Sequence, residues 1–198
     1  MSDADREKWE RRYAEGSYEA RTHPSRLLVD WLPRISKPDA ARALDLACGA
    51  GRNALYLAAE GYSVDAMDIS SVALARGAAR AAELGVEINW IETDLDQAAI
   101  SADRYDLVLV ARYVNRGLSG ALAGALREGG HLIYEQHLVT AREVSGPQNP
   151  EFRLRPNELL GMFRGLRVLY YREGIMQDPD GPTMALAQLV ACRGSPGY

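Results

Sequence analysis

Three aspartates and one glycine turn carry the densest chemistry in this chain. In Asp45-Leu-Ala-Cys-Gly49-Ala-Gly51-Arg-Asn-Ala54 a Gly-x-Gly turn separates a short apolar run from an Ala- and Leu-rich one. Between a strand and a helix, such a turn lets a ligand approach the backbone closely, because no Cβ stands in its way. The same Gly-x-Gly-x-x-Ala spacing fits a dinucleotide fingerprint, so neighbouring acids must arbitrate. Asp45 lies inside the strand, where a buried carboxylate needs a partner. It would repel a pyrophosphate at the turn and attract a ligand carrying an amino group and a sulfonium. Asp68 ends the next apolar run, where an acid accepts hydrogen bonds from both hydroxyls of a ribose. Asp94 follows a third run and can reach the exocyclic amine of an adenine, with Ile69 and Leu95 as apolar walls. Taken singly, Asp68 or Asp94 is explained by the capping of a helix. Together with Asp45 and the turn they outline a site for a cationic nucleoside.

A second group of reactive residues follows two later apolar runs. One run leads into Ala111-Arg112-Tyr113-Val-Asn-Arg116, the other into Tyr134-Glu135-Gln136-His137. Period-two alternation puts Glu135 and His137 on one side, close enough to couple. Either can take a proton from an oxygen or nitrogen acceptor, and imidazole has the matching ordinary pKa. The competing reading has Glu135 capping a strand end and His137 on the surface. Arg112, Arg116, Arg153 and Arg155 can converge on an anionic acceptor. The competing reading, solvated surface, is favoured in a chain whose lysines are only Lys8 and Lys37. Tyr13, Tyr18 and Tyr113 are placed to close over a ligand, although Tyr13 can equally be a packed helix face. Ser145 to Pro150 reads as a mobile flap beside the acceptor.

The elements that position these residues follow from periodicity. Trp9 and Tyr13 share one face of a short helix within Asp5 to Tyr18, which Gly16 breaks. Pro24 starts a second, with Leu27, Leu28, Trp31 and Leu32 as its apolar stripe. Strands are expected over 43–47, 62–68, 86–91, 105–110 and 131–136. Helices are expected over 52–60, from Ser70 or Ser71 to Leu84, and over 118–127, with Gly61 and Gly85 as stops. Alternation at this spacing implies parallel βαβ units. The last third changes rhythm: a short helix over 156–163, then strands over 165–173 and 184–192 around the tight turn Asp178-Pro-Asp-Gly-Pro182. Two strands joined by a hairpin are antiparallel, so the parallel sheet should carry one reversed strand near its edge.

Bulk properties exclude several classes. The 198 residues suit one domain. A net charge of −4 provides no field for a phosphate backbone, which disfavours nucleic-acid partners. The Asn/Asp-Pro-Pro-aromatic and Pro-Cys signatures of enzymes that methylate bases or glutamine are absent as well. No apolar run is long enough to cross a membrane, and the charged N-terminus has no apolar core of a secretory signal, so a cytoplasmic protein is expected. Cys48 and Cys192 support neither a disulfide framework nor a metal centre, and His, Asp and Glu show no ligand spacing, so no metal is expected.

The run Ala43 to Ala54, the Asp68-Ile-Ser strand end, the Asp94 loop and the closing hairpin resemble class I S-adenosylmethionine-dependent methyltransferases from about Leu27 to the C-terminus. Within that superfamily, Cys48 to Leu57, Gly61-Tyr62, the lead-in Trp9…Arg12-Tyr13…Tyr18 and Phe152…Pro156-Asn-Glu-Leu159 are most similar to the tellurite-resistance methyltransferases. Ala47 departs from the superfamily, which usually has Gly there. The resemblance implies an α/β, doubly wound, mostly parallel seven-stranded sheet with one antiparallel strand near the edge, spanning 1–198 as one domain with 1–35 as a helical lid. It implies S-adenosyl-L-methionine as cofactor, with Asp45, Gly49 and Gly51 at its methionine end and Ala47, Arg52 and Asn53 among the residues that bind it. Asp68 would lie at the ribose and Asp94 at the adenine, with Ile69 and Leu95 as walls of the base, and Ser70, Ala111 and Tyr18 would also bind the cofactor. His137, Glu135, Arg112 and Tyr113 would act on a small-molecule acceptor, a chalcogen oxyanion or a thiol among the candidates. The protein would be a monomer or homodimer, acting without nucleic acid or membrane. Two rival readings stay open: an NAD(P)-dependent oxidoreductase, which shares the glycine turn, and a non-catalytic binding module on the same fold.

Overall fold

The computed structural model describes residues 3–196; residues 1, 2, 197 and 198, which the 1–198 domain and 1–35 lid readings include, lie outside them. The strands are β1 (Arg42–Leu46), β2 (Ser63–Asp68), β3 (Ile88–Glu92), β4 (Tyr105–Ala111), β5 (Leu126–His137), β6 (Arg167–Gln177) and β7 (Thr183–Cys192). They form one seven-stranded sheet in the order β3-β2-β1-β4-β5-β7-β6. Strands β1 to β5 pair in parallel, and β7 runs antiparallel to both β5 and β6. The last strand in sequence is thus the reversed one, inserted between β5 and the edge.

The helices are α1 (Asp3–Ala14), α2 (Arg26–Trp31), α3 (Arg52–Ala59), α4 (Ser71–Leu84), α5 (Ser119–Ala125) and α6 (Glu158–Met162). Because the strands alternate, each inner strand feeds two cores. Ala43, Leu107, Leu109, Ile133 and Val190 pack under Leu27, Leu28, Ala54, Leu57 and Leu74 on one face. Leu44, Leu46, Val108, Val110, Leu132 and Leu189 meet Leu122, Leu159 and Phe163 on the other. That alternation puts Asp45 on the face of Ala43, beneath α3, and its strand neighbours Leu44 and Leu46 on the opposite face.

Several boundaries differ from the periodicity reading for local reasons. Helix α1 stops at Ala14, and the chain turns through Gly16 (φ +82°) and Tyr18 (φ +75°). Helix α2 starts at Arg26 behind Ser25, not at Pro24. Strand β5 begins at Leu126, taking the last two residues expected of a helix, and runs through Gly129-Gly130 with an irregular register against β4. A side chain at Gly130 would meet the Tyr105 carbonyl oxygen at 3.0 Å, so glycine here admits a neighbouring backbone. Strand β6 extends to Gln177 because its pairing with β7 continues to Thr183. The turn between them is closed by the Asp178 amide donating to the Pro182 carbonyl at 2.8 Å.

Trp90 of β3 wedges its indole between Gly51 and Gly77, and a Cβ at either glycine would run into the ring. Gly77 has no unusual φ and lies within α4, so packing alone holds it as glycine. Gly77→Ala should therefore destabilise the protein by about 1–2 kcal/mol, against the helix-propensity gain of about 1 kcal/mol. Urea denaturation checks the sign.

Candidate functional site

At the carboxyl end of β1 the chain turns through Ala47 (φ +56°), Gly49 (φ +57°) and Gly51 (φ +76°) before entering α3. Ala47 occupies a left-handed conformation that costs a residue with a Cβ about 1–2 kcal/mol, which explains physically why glycine is usual there. Beneath the turn, Asp45 is 1% exposed. Its Oδ2 has no hydrogen-bond partner. Burial pushes its pKa up to about 7, against pull-down from the Ala54 backbone amide and the Arg52 guanidinium. A buried carboxylate with one unpaired oxygen is the feature a cationic group would complete.

Asp68 closes the other side of the turn. Its two oxygens accept from the backbone amides of Gly49 (2.8 Å) and Ser70 (2.9 Å), and burial raises its pKa. Each oxygen keeps further acceptor capacity, so binding of ribose hydroxyls is compatible with the role of holding the turn. Ser70 also caps α4 by accepting from the Ala73 amide at 3.2 Å. Ile69 is buried, and Leu95 is buried in the core that holds Leu44 and Leu46. Asp94 accepts from the Asp96 amide at 2.9 Å in a local turn.

Helix α1 lies across this cleft. Glu10 accepts from the amides of Ser71 (2.8 Å) and Val72 (3.2 Å), placing a carboxylate at the amino end of α4. Arg6 donates to the Ile69 carbonyl at 3.3 Å. The Tyr13 hydroxyl fills the space that a side chain on Gly49 would need. Tyr18 packs on Tyr13 with ring centroids 5.5 Å apart. Tyr113, whose pKa burial pushes up to about 12, feels the charges of Asp96, Asp94 and Asp68.

Arg52, Asn53, Arg112 and Glu135 enter a different arrangement. Asn53 accepts from the Ser25 amide at 2.8 Å. Arg52 donates to the His23 carbonyl at 2.8 Å and to Asp180 at 3.1 Å. Arg112, at φ +65° just past Ala111, the last residue of β4, pairs with Asp178 at 2.7 Å and Glu135 at 3.2 Å. Glu135 also accepts from Ser25 Oγ (3.1 Å) and Gln188 Nε2 (2.5 Å). Its carboxylate is thus committed to these partners and not to His137. Both residues are buried, so neither the strand-end cap nor the surface histidine describes them. Burial, with the Arg112, Arg21 and Arg153 charges, lowers the His137 pKa to about 3, which keeps its imidazole neutral at physiological pH.

The side chains of Arg116 and Arg153 are committed to partners of their own. Arg116 holds Glu158 and the carbonyls of Glu151 and Arg153, while Arg153 donates to the Pro147 carbonyl at 2.6 Å. The Ser145–Pro150 stretch is no loose flap: the Ser145 amide donates to the Thr183 carbonyl at 2.9 Å, and Gly146 sits directly against the His137 ring. In the sequence, Asp178 and Asp180 read as turn formers. Two acids in an Asp-Pro-Asp-Gly turn are explained locally, so nothing in the sequence marked them as partners of Arg52 and Arg112.

Known proteins share this architecture. Residues 43–130 match the model of a methyltransferase domain family. TehB from Haemophilus influenzae superposes with a TM-score of 0.71 at 24% identity, over 84% of this chain and 61% of that one. A SAM-dependent methyltransferase from Methanosarcina mazei gives 0.66 at 16%, over 82% and 96%. A ubiquinone biosynthesis O-methyltransferase of Cronobacter sakazakii is 28% identical over 141 residues, which are 61% of this chain and 58% of that protein. The chain thus spans less than two thirds of the length of TehB and of the Cronobacter relative. Over residues 43–130 the chain is similar to a methyltransferase domain, and as a whole it has the fold of these solved structures. Among the described residues no helix is long and apolar enough to cross a membrane.

Two pH effects follow. Between its ordinary carboxyl value and pH 7, Asp45 ionises in the unfolded chain but not in the folded one, so ligand-free stability falls as pH rises through that window. Asp45→Asn should remove this slope in pH-dependent denaturation. His137 works oppositely: from about pH 6.5 down to about 3 only the unfolded chain takes up its proton, so stability falls as pH falls. His137→Gln should flatten the acid limb, recovering on the order of 1.4 kcal/mol per pH unit across it.

Proposed function

We propose that this chain is an S-adenosylmethionine-dependent methyltransferase acting on a small-molecule acceptor, folded as one domain with α1 as its lid, while α2, which the 1–35 reading put in the lid, packs into the core through Leu27 and Leu28. The observation that carries this reading is the unpaired, buried Asp45 oxygen beneath the glycine turn. A pyrophosphate would add repulsion there, whereas a cationic amino group removes the cost of the buried charge. In this reading Asp45 and the Ala47–Gly51 turn hold the methionine end of the cofactor. Asp68 accepts from the ribose hydroxyls, and Asp94 faces the adenine between Ile69 and Leu95. Arg52 and Asn53 act indirectly, by fixing the segment from His23 to Ser25. The Tyr13 phenol must yield part of its place when a ligand enters, which makes α1 the lid.

The bound cofactor supplies a methyl group on a cationic sulfur. The chain's own part is to orient the two reactants, exclude water and match charge. A thiol or a reduced chalcogen anion needs no strong base, which agrees with an imidazole held neutral and only weakly basic. A hydroxyl acceptor, as the Cronobacter relative's name states for that protein, would draw harder on His137. With Cys48 and Cys192 free and buried, a cytoplasmic setting is part of the same proposal.

Calorimetry tests the reading directly: S-adenosylmethionine should bind and NADH should not. Asp68→Ala would strip the partners from the Gly49 and Ser70 amides, so Asp68→Asn is the better variant. It should weaken cofactor binding at least about tenfold, a loss of about 1.4 kcal/mol. Unchanged affinity would remove the ribose role. Asp45→Asn should weaken binding similarly, and wild-type binding near pH 6 should release a proton, read as a dependence of the heat on the buffer.

A further inference from the structure

A cavity of about 440 Å³ lies between α2 and the β6–β7 pair, beside the cofactor cleft. Its volume is that of a small-molecule site. Trp31 and Tyr170 form an aromatic wall, with ring centroids 5.4 Å apart, and Leu27 and Leu186 add aliphatic surface. Its polar residues include Arg112, Glu135, Asp178 and Gln188.

The Arg112 side chain is only 9% exposed. Its Nη2 carries both ion pairs, to Asp178 and Glu135, while Nε and Nη1 are buried without any hydrogen-bond partner. Buried donors of a guanidinium left unpaired cost free energy. A second group of acceptor oxygens would remove that cost, and because both donors are closed to water, it reaches them only when the guanidinium turns toward the cavity that Arg112 lines. The two acids on Nη2 do not fill the need: they fix the guanidinium, Asp178 being tied in turn to the Arg52 region. Arg34, stacked on Trp31 with its guanidinium 5.5 Å from the ring centroid, and the exposed Arg172 add positive charge around the cavity.

We propose that this cavity binds a small organic carboxylate with a flat apolar body, its carboxylate on Arg112 and its body against Trp31 and Tyr170. A bare inorganic oxyanion would leave the aromatic wall unused. The binding claim stands by itself; naming the ligand as the methyl acceptor rests on the methyltransferase reading.

Benzoate, benzamide and selenite, each titrated into the whole protein by calorimetry, test it. Benzoate should bind at least tenfold more tightly than benzamide, which keeps the shape and loses the charge, and at least tenfold more tightly than selenite, which keeps the charge and loses the body. It should change the tryptophan emission of the wild type but not of Trp31→Phe. Arg112→Lys, checked for cooperative unfolding, should lose at least tenfold in benzoate affinity and little in benzamide affinity. Equal binding of benzoate and benzamide, or no binding of benzoate, overturns the proposal without any variant. Selenite binding as tightly as benzoate overturns the organic ligand. S-adenosylmethionine titrated in parallel separates the two claims: cofactor bound without benzoate refutes the cavity, and benzoate bound without cofactor refutes the methyltransferase.

Discussion

A carboxylate buried beneath a tight turn, with one oxygen left without a partner, is the constraint around which the site is organised. Asp45 cannot reach water, and the forces acting on it oppose one another: burial raises its pKa, while the Ala54 amide and Arg52 lower it. A group in that position is expensive for a protein that binds nothing. The fold maintains it through the positive φ of Ala47, Gly49 and Gly51, which bend the chain over the carboxylate, and through Asp68, which clamps the Gly49 amide from the next strand. Strain at Ala47, burial of Asp45 and the double duty of Asp68 are local costs that a charged ligand would offset together.

Beside this cleft a second set of charges joins parts of the chain that are remote in sequence. Arg52 at the start of α3, Arg112 past the end of β4, Glu135 in β5 and Asp178 in the hairpin turn form one ion-paired layer. It fixes the hairpin over the sheet and ties the segment before α2 to β5 through Ser25. Breaking one member leaves the others buried and uncompensated, so each substitution within the layer is destabilising. It stands between the glycine turn and the cavity lined by Trp31 and Tyr170, and thereby connects the two faces of the site.

The alternating strands and helices, the reversed strand near the edge and the glycine turn with its acids were all legible in the sequence, because each rests on short-range periodicity or on a residue type with one dominant use. Strand β1 and helix α4 are clear cases: an apolar run broken by a single acid, and an Ala-rich segment capped by Ser70 and stopped by Gly85. The start of β5 was not legible, because Gly129-Gly130 reads as punctuation and only the approach of the Tyr105 backbone makes a bulged strand of it.

By itself, then, the sequence determined the order of elements and the acids at the strand ends, since both follow from local pattern and from where strands stop. Only the tertiary structure decided which charges meet. Glu135 and His137 share a strand and a spacing, yet Glu135 is drawn to Arg112, Ser25 and Gln188, and His137 is left neutral under Gly146. The physical reason is that desolvation and Coulomb attraction depend on distance in space, and the partners that set them are remote along the chain, Ser25 lying 110 positions and Gln188 53 positions from Glu135.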